Sequence, residues 1–402
     1  MKDNTFFVGL RAASVILAVT LMATNLCAAV QEKVIHSFSN NGRDGSSPLG
    51  GLIFDAVGNL YGTARYGGTY NSGAVFELMP KAGGGWSEKI LYSFIDNNKD
   101  GVGPYASVVF DTKGNLYGTT CYGGTYGYGI VFELLPQAGG AWAEKVLHTF
   151  NGKDGGCSFA PLIFDANGNL FGTAYDGGAY GSGTVFELMP SPRGGWKEKV
   201  LYNFRNTGGY PQNGLTSDSS GNLYGTAHGG NGAGVVFKLT PKAGGGWTES
   251  VIHSFHGKDG YDPEALIIDA AGNIYGTSYV GGSSGDGNVF ELSPKAGGRW
   301  TVKVLHSFSG KDGVFCYAGV VFDNAGNLYG ALVEGGTYNH GTVFEVMPKA
   351  DGHWTEKTLH SFNDKDGTYP WAPVVVDAAG NVYGVTEAGG ATGYGTVFEI
   401  QP

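Results

Sequence analysis

Charge is scarce in this sequence: Asp, Glu, Lys and Arg make up 15% of the 402 residues, with a net charge of −10. Nucleic-acid binding rests on basic patches, so this balance argues against it. Cysteine is nearly missing, with four residues, one of them (Cys27) near the N-terminus. Cys121, Cys157 and Cys316 are too few for a disulfide framework; at most one bridge forms and one thiol is left over. Long apolar runs are also missing. Residues 12–24 form a short apolar stretch, below the roughly 20 residues of a membrane helix, and no second span follows. There is no His-Glu-x-x-His, no Gly-x-Ser-x-Gly and no phosphate loop, which removes the readings those motifs carry.

Glycine is abundant, at 72 residues, more than twice the roughly 7% norm, and implies many turns and few long helices. At the N-terminus, Lys2 and Arg11 flank the apolar stretch and Cys27-Ala28-Ala29 supplies small residues. This pattern predicts a secretory signal over residues 1–29, cleaved after Ala29. Lipidation at Cys27 fits less well, because Thr24-Asn25-Leu26 is a poor match to lipoprotein processing. The mature protein, residues 30–402, is expected to be secreted, periplasmic or on the cell surface.

Self-similarity dominates the rest. Gly-Asn-Leu-Tyr-Gly or a close variant begins at Gly58, Gly114, Gly168, Gly221, Gly272, Gly326 and Gly380, at intervals of 56, 54, 53, 51, 54 and 54. Each copy holds four extended segments, as in residues 107–111, 115–119, 129–134 and 142–150, rich in Val, Ile, Phe, Tyr and Thr. Asp-x-x-Gly-Asn recurs in all seven copies, led by Asp55, Asp111, Asp165, Asp218, Asp269, Asp323 and Asp377. An Asp that bonds its own backbone and a Gly at positive φ make a hairpin turn, so these aspartates read as structural. Four strands in seven copies predict an all-β, seven-bladed β-propeller of four antiparallel strands per blade, a single domain. Repeat cores fall near 48–95, 104–150, 158–204, 211–255, 262–308, 316–362 and 370–402. Residues 32–38 are a fourth-strand sequence with no first three strands before it, whereas the last copy ends after its third. The N-terminal strand is therefore expected to join the last blade and close the ring. The column Phe76, Phe132, Phe186, Phe237, Phe290, Phe344 and Phe398 should lie between blades. Trp86, Trp142, Trp196, Trp247, Trp300 and Trp354 precede six of the fourth strands, and the N-terminal one lacks its Trp.

The unit G-N-L-Y-G-T, then G-G, then G-T-V-F-E-L, then W-x-E-K-x-L-x-S-F resembles the GloVer (Gloeo/Verruco) tandem repeat, over about residues 32–402. The resemblance implies an exported or surface location in a bacterial protein and implies no particular reaction. Unlike anchored members, this sequence shows no anchor after Pro402.

In a sevenfold scaffold, positions that differ in every copy are poorly explained by the scaffold. Two such columns belong to the face shared by loops entering the first strand and leaving the second. One lies six residues before each turn aspartate: Leu49, Tyr105, Phe159, Gln212, Pro263, Tyr317 and Trp371, with copy five one residue short. The other ends the second strand: Arg65, Cys121, Tyr175, His228, Tyr279, Val333 and Glu387, with Glu334 adjacent. Aromatic faces beside polar groups suit a carbohydrate or a protein side chain; the weightier reading of the pattern is that these rings plug the channel and pack on loops. Tyr105, Phe159, Tyr317, Trp371, Arg65, Tyr175, His228, Tyr279, Glu387 and Glu334 are the candidate ligand-binding residues.

Other chemistry is thinner. Asp96, Asn98 and Asp100 match the first half of a calcium loop, but Ser107 stands where its bidentate acid belongs. The Asp-Gly pairs to which Asp100 belongs read as turn chemistry. Cys121 and Cys157 lie in adjacent blades and are candidates for one disulfide. His36, His148, His253, His306 and His360 share a fourth-strand position, too spread around the rim to converge on an ion, and His228, His256, His340 and His353 are expected to face solvent. First strands reading Leu-Ile-Phe or Val-Val-Phe leave little to coordinate a channel metal. No catalytic residue, resident metal or cofactor is assigned, and a monomer is expected. A non-enzymatic binding protein for a glycan or protein partner is the leading reading. A structural envelope component and a glycan-active hydrolase or lyase, using an acid pair such as Glu334 with Glu387, are the alternatives.

Overall fold

The Asp-x-x-Gly-Asn turn behaves as its chemistry dictates. In the computed structural model, which describes residues 30–205, 208–229 and 232–402, Asp55 Oδ1 accepts the N–H groups of Val57 and Asn59, both at 2.9 Å. Gly58 takes φ +91°. Asn59 Nδ2 donates to Asp55 Oδ2 at 2.9 Å, and the Tyr61 hydroxyl donates to Glu77 of the third strand at 2.7 Å. Asp323, Asn327, Tyr329 and Glu345 repeat the arrangement. The hairpin between first and second strands is thus tied to the third by a buried polar chain.

Among the described residues the strands form seven four-stranded antiparallel sheets. Blade one runs from the innermost strand Ile53–Phe54 through Leu60–Ala64 and Ala74–Pro80 to the outermost, Trp86–Ser93. Blade seven takes Val375–Val376, Val382–Thr386 and Thr396–Gln401, and its fourth strand is Gln31–Ser37. Glu32 lies opposite Ile400 and Val34 opposite Phe398. The Phe38 N–H adds a bond to the Gly395 carbonyl at 3.0 Å, and the Thr392 hydroxyl donates to the Phe38 carbonyl. The chain is a seven-bladed propeller closed by its N-terminal strand. The expected signal at 1–29 lies outside the described residues, and no described helix is long and apolar enough to cross a membrane.

The core repeats around the ring. All seven third-strand Phe residues are fully buried. Each meets the Phe that follows the fourth strand of the preceding blade, from Phe38–Phe76 to Phe362–Phe398, at centroid distances of 4.8–5.2 Å. The second-strand glycine makes room for it: a Cβ on Gly62 would come within 2.5 Å of Phe76 Cζ. Trp residues cover the tyrosines of neighbouring blades, as in Trp86–Tyr383 at 6.2 Å. Where the N-terminal strand lacks its Trp, Val30 packs against the Tyr329 cluster.

One blade departs from the others. The innermost strand is two residues long in six blades, but in blade five it is Tyr261–Ile268, with a bulge between Pro263 and Leu266.

Candidate functional site

The loops entering first strands and leaving second strands pair with each other, Gly45–Ser46 with Tyr66–Gly67 and Gly101–Val102 with Tyr122–Gly123. They frame the channel mouth, where a cavity of about 560 Å³ opens, within the roughly 300–1,000 Å³ of ordinary ligand pockets. Eight candidates from the sequence line it: Tyr105, Phe159, Tyr317, Trp371, Arg65, His228, Tyr279 and Glu387. Tyr175 and Glu334 are not among its lining residues; Tyr175 meets Phe159 of the wall edge-on at 5.3 Å. Pro263 is also missing from the wall, because the missing residue in copy five shifts the register and Asp262 and Glu264 take its place.

The wall is preorganised. Tyr105 meets Phe159 edge-on at 5.0 Å, and Tyr317 meets Trp371 the same way at 5.0 Å. The Arg65 guanidinium lies 4.8 Å from the Tyr105 ring centroid. Burial pushes the Tyr105 hydroxyl up to about 12, against the opposing charge of Arg65, so it stays a protonated donor. Trp371 Nε1–H donates to Glu387 at 2.7 Å, and the Tyr317 hydroxyl donates to Gln212 of blade four at 3.2 Å. The rings touch one another yet leave the cavity between them open.

A third variable column escaped the sequence reading: Ser47, Gly103, Cys157, Tyr210, Asp262, Phe315 and Tyr369, eight residues before the turn aspartate and seven in copy five. All seven have φ between 45° and 65°, a region few side chains adopt. Backbone bonds hold them there; the Cys157 N–H donates to the Tyr128 carbonyl at 3.0 Å and its carbonyl accepts from the Tyr175 N–H at 3.1 Å. The backbone is constant while the side-chain partner on the preceding blade changes. Cys157 forms a disulfide with Cys121, Tyr210 packs on Tyr175 at 5.4 Å and Phe315 stacks on Tyr279 at 5.0 Å. Asp262 Oδ1 lies 3.2 Å from His228 Nδ1. His228, expected to face solvent, is held in this pair, and its Nε2 is buried without a partner.

Blades four and five add polar groups at the channel that the first-strand pattern Leu-Ile-Phe or Val-Val-Phe did not suggest. Five residues before the turn aspartate stand Gly50, Ala106, Ala160, Asn213, Glu264, Ala318 and Ala372. Glu264 is 1% exposed. Its Oε2 accepts from Asn213 Nδ2 at 2.8 Å, and Oε1 has no partner. Burial raises this carboxyl well above the ordinary range, opposed by the Asn213 hydrogen bond and reinforced by Asp262.

A family model described as the Gloeobacter/Verrucomicrobia repeat matches residues 22–232, 193–302 and 298–402. The chain belongs to this repeat family. No curated protein matches it. Among solved structures, the periplasmic gluconolactonase of Pseudomonas aeruginosa is similar, with 15% identity and a TM-score of 0.52 over 78% of this chain and 84% of that one. A putative oxidoreductase (glucose dehydrogenase) of Thermus thermophilus has 15% identity and a TM-score of 0.46, over 93% of this chain and 100% of the other. The PQQ-bound aldose sugar dehydrogenase of Streptomyces coelicolor has 11% identity and a TM-score of 0.47, over 93% and 98%. At such identities the likeness is one of fold.

The rim of this repeat-family member is more polar than expected. In five Asp-Gly pairs the Asp clasps the fourth-strand His rather than merely turning the chain, as in His253–Asp259 and His306–Asp312, both at 2.8 Å. Three junctions add a glutamate: Glu198 beside His148 and Asp154, Glu356 beside His306 and Asp312, and Glu32 beside His360 and Asp366, with atoms within 4.8 Å of one another. The histidines do not meet each other; three of them each lie beside two carboxylates. Burial pushes Asp154 up, yet the His148 and Asn151 hydrogen bonds hold it below the usual range. In the half-matched calcium loop, Asp100 accepts from the Tyr92 hydroxyl at 2.8 Å and from the N–H groups of Ile95 and Gly101 at 3.0 and 2.6 Å, which commits its oxygens to the fold. The third cysteine, Cys316, is free and buried.

Proposed function

We propose that this repeat-family propeller is an exported carbohydrate-binding protein whose site is the channel mouth. The observation that carries the reading is that the cavity is built largely from positions that break the sevenfold repeat, where the scaffold itself demands no particular side chain. Aromatic faces from Tyr105, Phe159, Tyr317 and Trp371 beside Arg65, Glu387 and Gln212 suit the apolar face and the hydroxyls of a sugar. The Cys121–Cys157 bridge supports an oxidising compartment, in keeping with the expected signal segment.

The test is calorimetric titration with cellotetraose, maltotetraose, xylotetraose and mannotetraose. One of them should bind, and Trp371→Ala should weaken it roughly tenfold or more while the protein stays folded. If none binds, or if Trp371→Ala and Tyr105→Ala leave affinity unchanged, the reading fails. A protein partner is the second reading, favoured by Tyr66, Tyr70, Tyr122 and Tyr126, which stand 42–62% exposed on the same face, tyrosine being enriched at interfaces.

A further inference from the structure

We infer that the channel mouth selects neutral saccharides, by holding a sugar hydroxyl between Glu264 and His228 at the junction of blades four and five. This rests on the reading of the mouth as a carbohydrate site and names what it recognises. The scaffold gives no reason for a carboxyl at position 264: the equivalent residue is Gly or Ala in five blades. The deviation is built in. Blade five alone has an eight-residue innermost strand, and its bulge lies beside Glu264; bulges commonly re-aim a side chain toward a site.

Each side chain leaves one buried polar atom without a partner in the protein. Glu264 has no Lys, Arg or His within salt-bridge distance among the described residues. A fully buried carboxylate without a cation is costly, so the neutral acid is the favoured form. With Oε2 accepting from Asn213, the proton belongs on Oε1, a buried donor with no acceptor in the protein. His228 presents the opposite. Nδ1 faces Asp262; in the tautomer with its hydrogen on Nδ1, Nε2 is an acceptor without a donor. Both residues line the same cavity. An alcohol accepts and donates at once and satisfies both. A carboxylate or phosphate can satisfy only the donor, and it would face Asp262 and Glu387, against the one guanidinium of Arg65, in the same wall.

The experiment titrates the wild type, Glu264→Gln, Glu264→Leu and His228→Phe with the four neutral tetrasaccharides and with tetragalacturonate, alongside thermal unfolding of each variant. A neutral tetrasaccharide should bind at least roughly tenfold tighter than tetragalacturonate. Glu264→Leu and His228→Phe should each weaken it by roughly 10- to 100-fold. Glu264→Gln, whose amide still donates, should stay within about fivefold of wild type. If Glu264→Leu does not fold, His228→Phe decides. Binding lost on Trp371→Ala but unchanged in both Glu264→Leu and His228→Phe, or tetragalacturonate binding as tightly as the neutral sugars, overturns this inference and leaves the channel-mouth site standing. No saccharide binding by the wild type overturns both.

Discussion

At each blade junction this propeller solves two problems with two kinds of residue. Deep between blades, the same Phe pair recurs from Phe38–Phe76 to Phe362–Phe398 at nearly constant spacing. A few residues away, at the mouth, one backbone geometry carries a disulfide, a tyrosine pair, a histidine–aspartate pair and a stacked Tyr–Phe at four successive junctions. The first region shows what closure requires, since identical blades must bury identical faces. The second shows what closure leaves free. Sevenfold regularity therefore separates the positions that closure fixes from those it leaves free.

The sharpest way to break that separation is to exchange the two kinds of change. Phe290→Ala, in the repeated layer, should cost about 3–5 kcal/mol, whereas Trp371→Ala at the mouth should cost no more than about 1 kcal/mol, both read from denaturant unfolding. Equal losses would erase the distinction. Next in size is the one covalent link at the mouth. Cys121→Ser with Cys157→Ser should cost about 2–4 kcal/mol for opening a bridge across 36 residues. Thiol counting on the unreduced, denatured protein of residues 30–402 should then give one free group before the change. Smaller is the polar chain of each blade. Tyr329→Phe removes the 2.8 Å donation to Glu345 and should cost about 1 kcal/mol. Blade three already has Phe171 there, and burial raises its Glu187 despite Lys199; Phe171→Tyr should restore the donor and stabilise by up to about 1 kcal/mol.

The smallest effect is on pH. Burial raises Glu32, Glu88, Glu144 and Glu198 from 4.5 to about 7. The folded protein thus keeps protons that the unfolded chain has released. Their contribution is fully present below about pH 4.5 and is lost as pH rises through about 7. Glu198→Gln should flatten that part of a melting-temperature profile by a small step, since these groups are only half-buried; an unchanged profile would count against the inter-blade placement.

The fold was legible because each copy of the repeat checks the others, and because residues 32–38 are a fourth strand without its first three. The mouth was legible as a pair of variable columns, since residues exempt from the scaffold stand out against it. Glu264 stayed hidden for a physical reason. The missing residue in copy five put Pro263 in the column, while the longer strand and its bulge turn Glu264 to the cavity. His228 stood in the variable column, but its pairing stayed hidden because its partner, Asp262, comes from the next blade's loop at a positive φ of 50°, which no local pattern announces. The rim clasps were missed likewise, because each joins a strand to the loop leaving it.

A crystal structure of the mature protein with one of the neutral tetrasaccharides bound tests the account most directly. A sugar ring against Trp371 or Tyr105, with a hydroxyl between Glu264 and His228, is the expected result. A sugar seated on the opposite face near Asp55 and Asp111, or on the outer strands with the mouth empty, would contradict it.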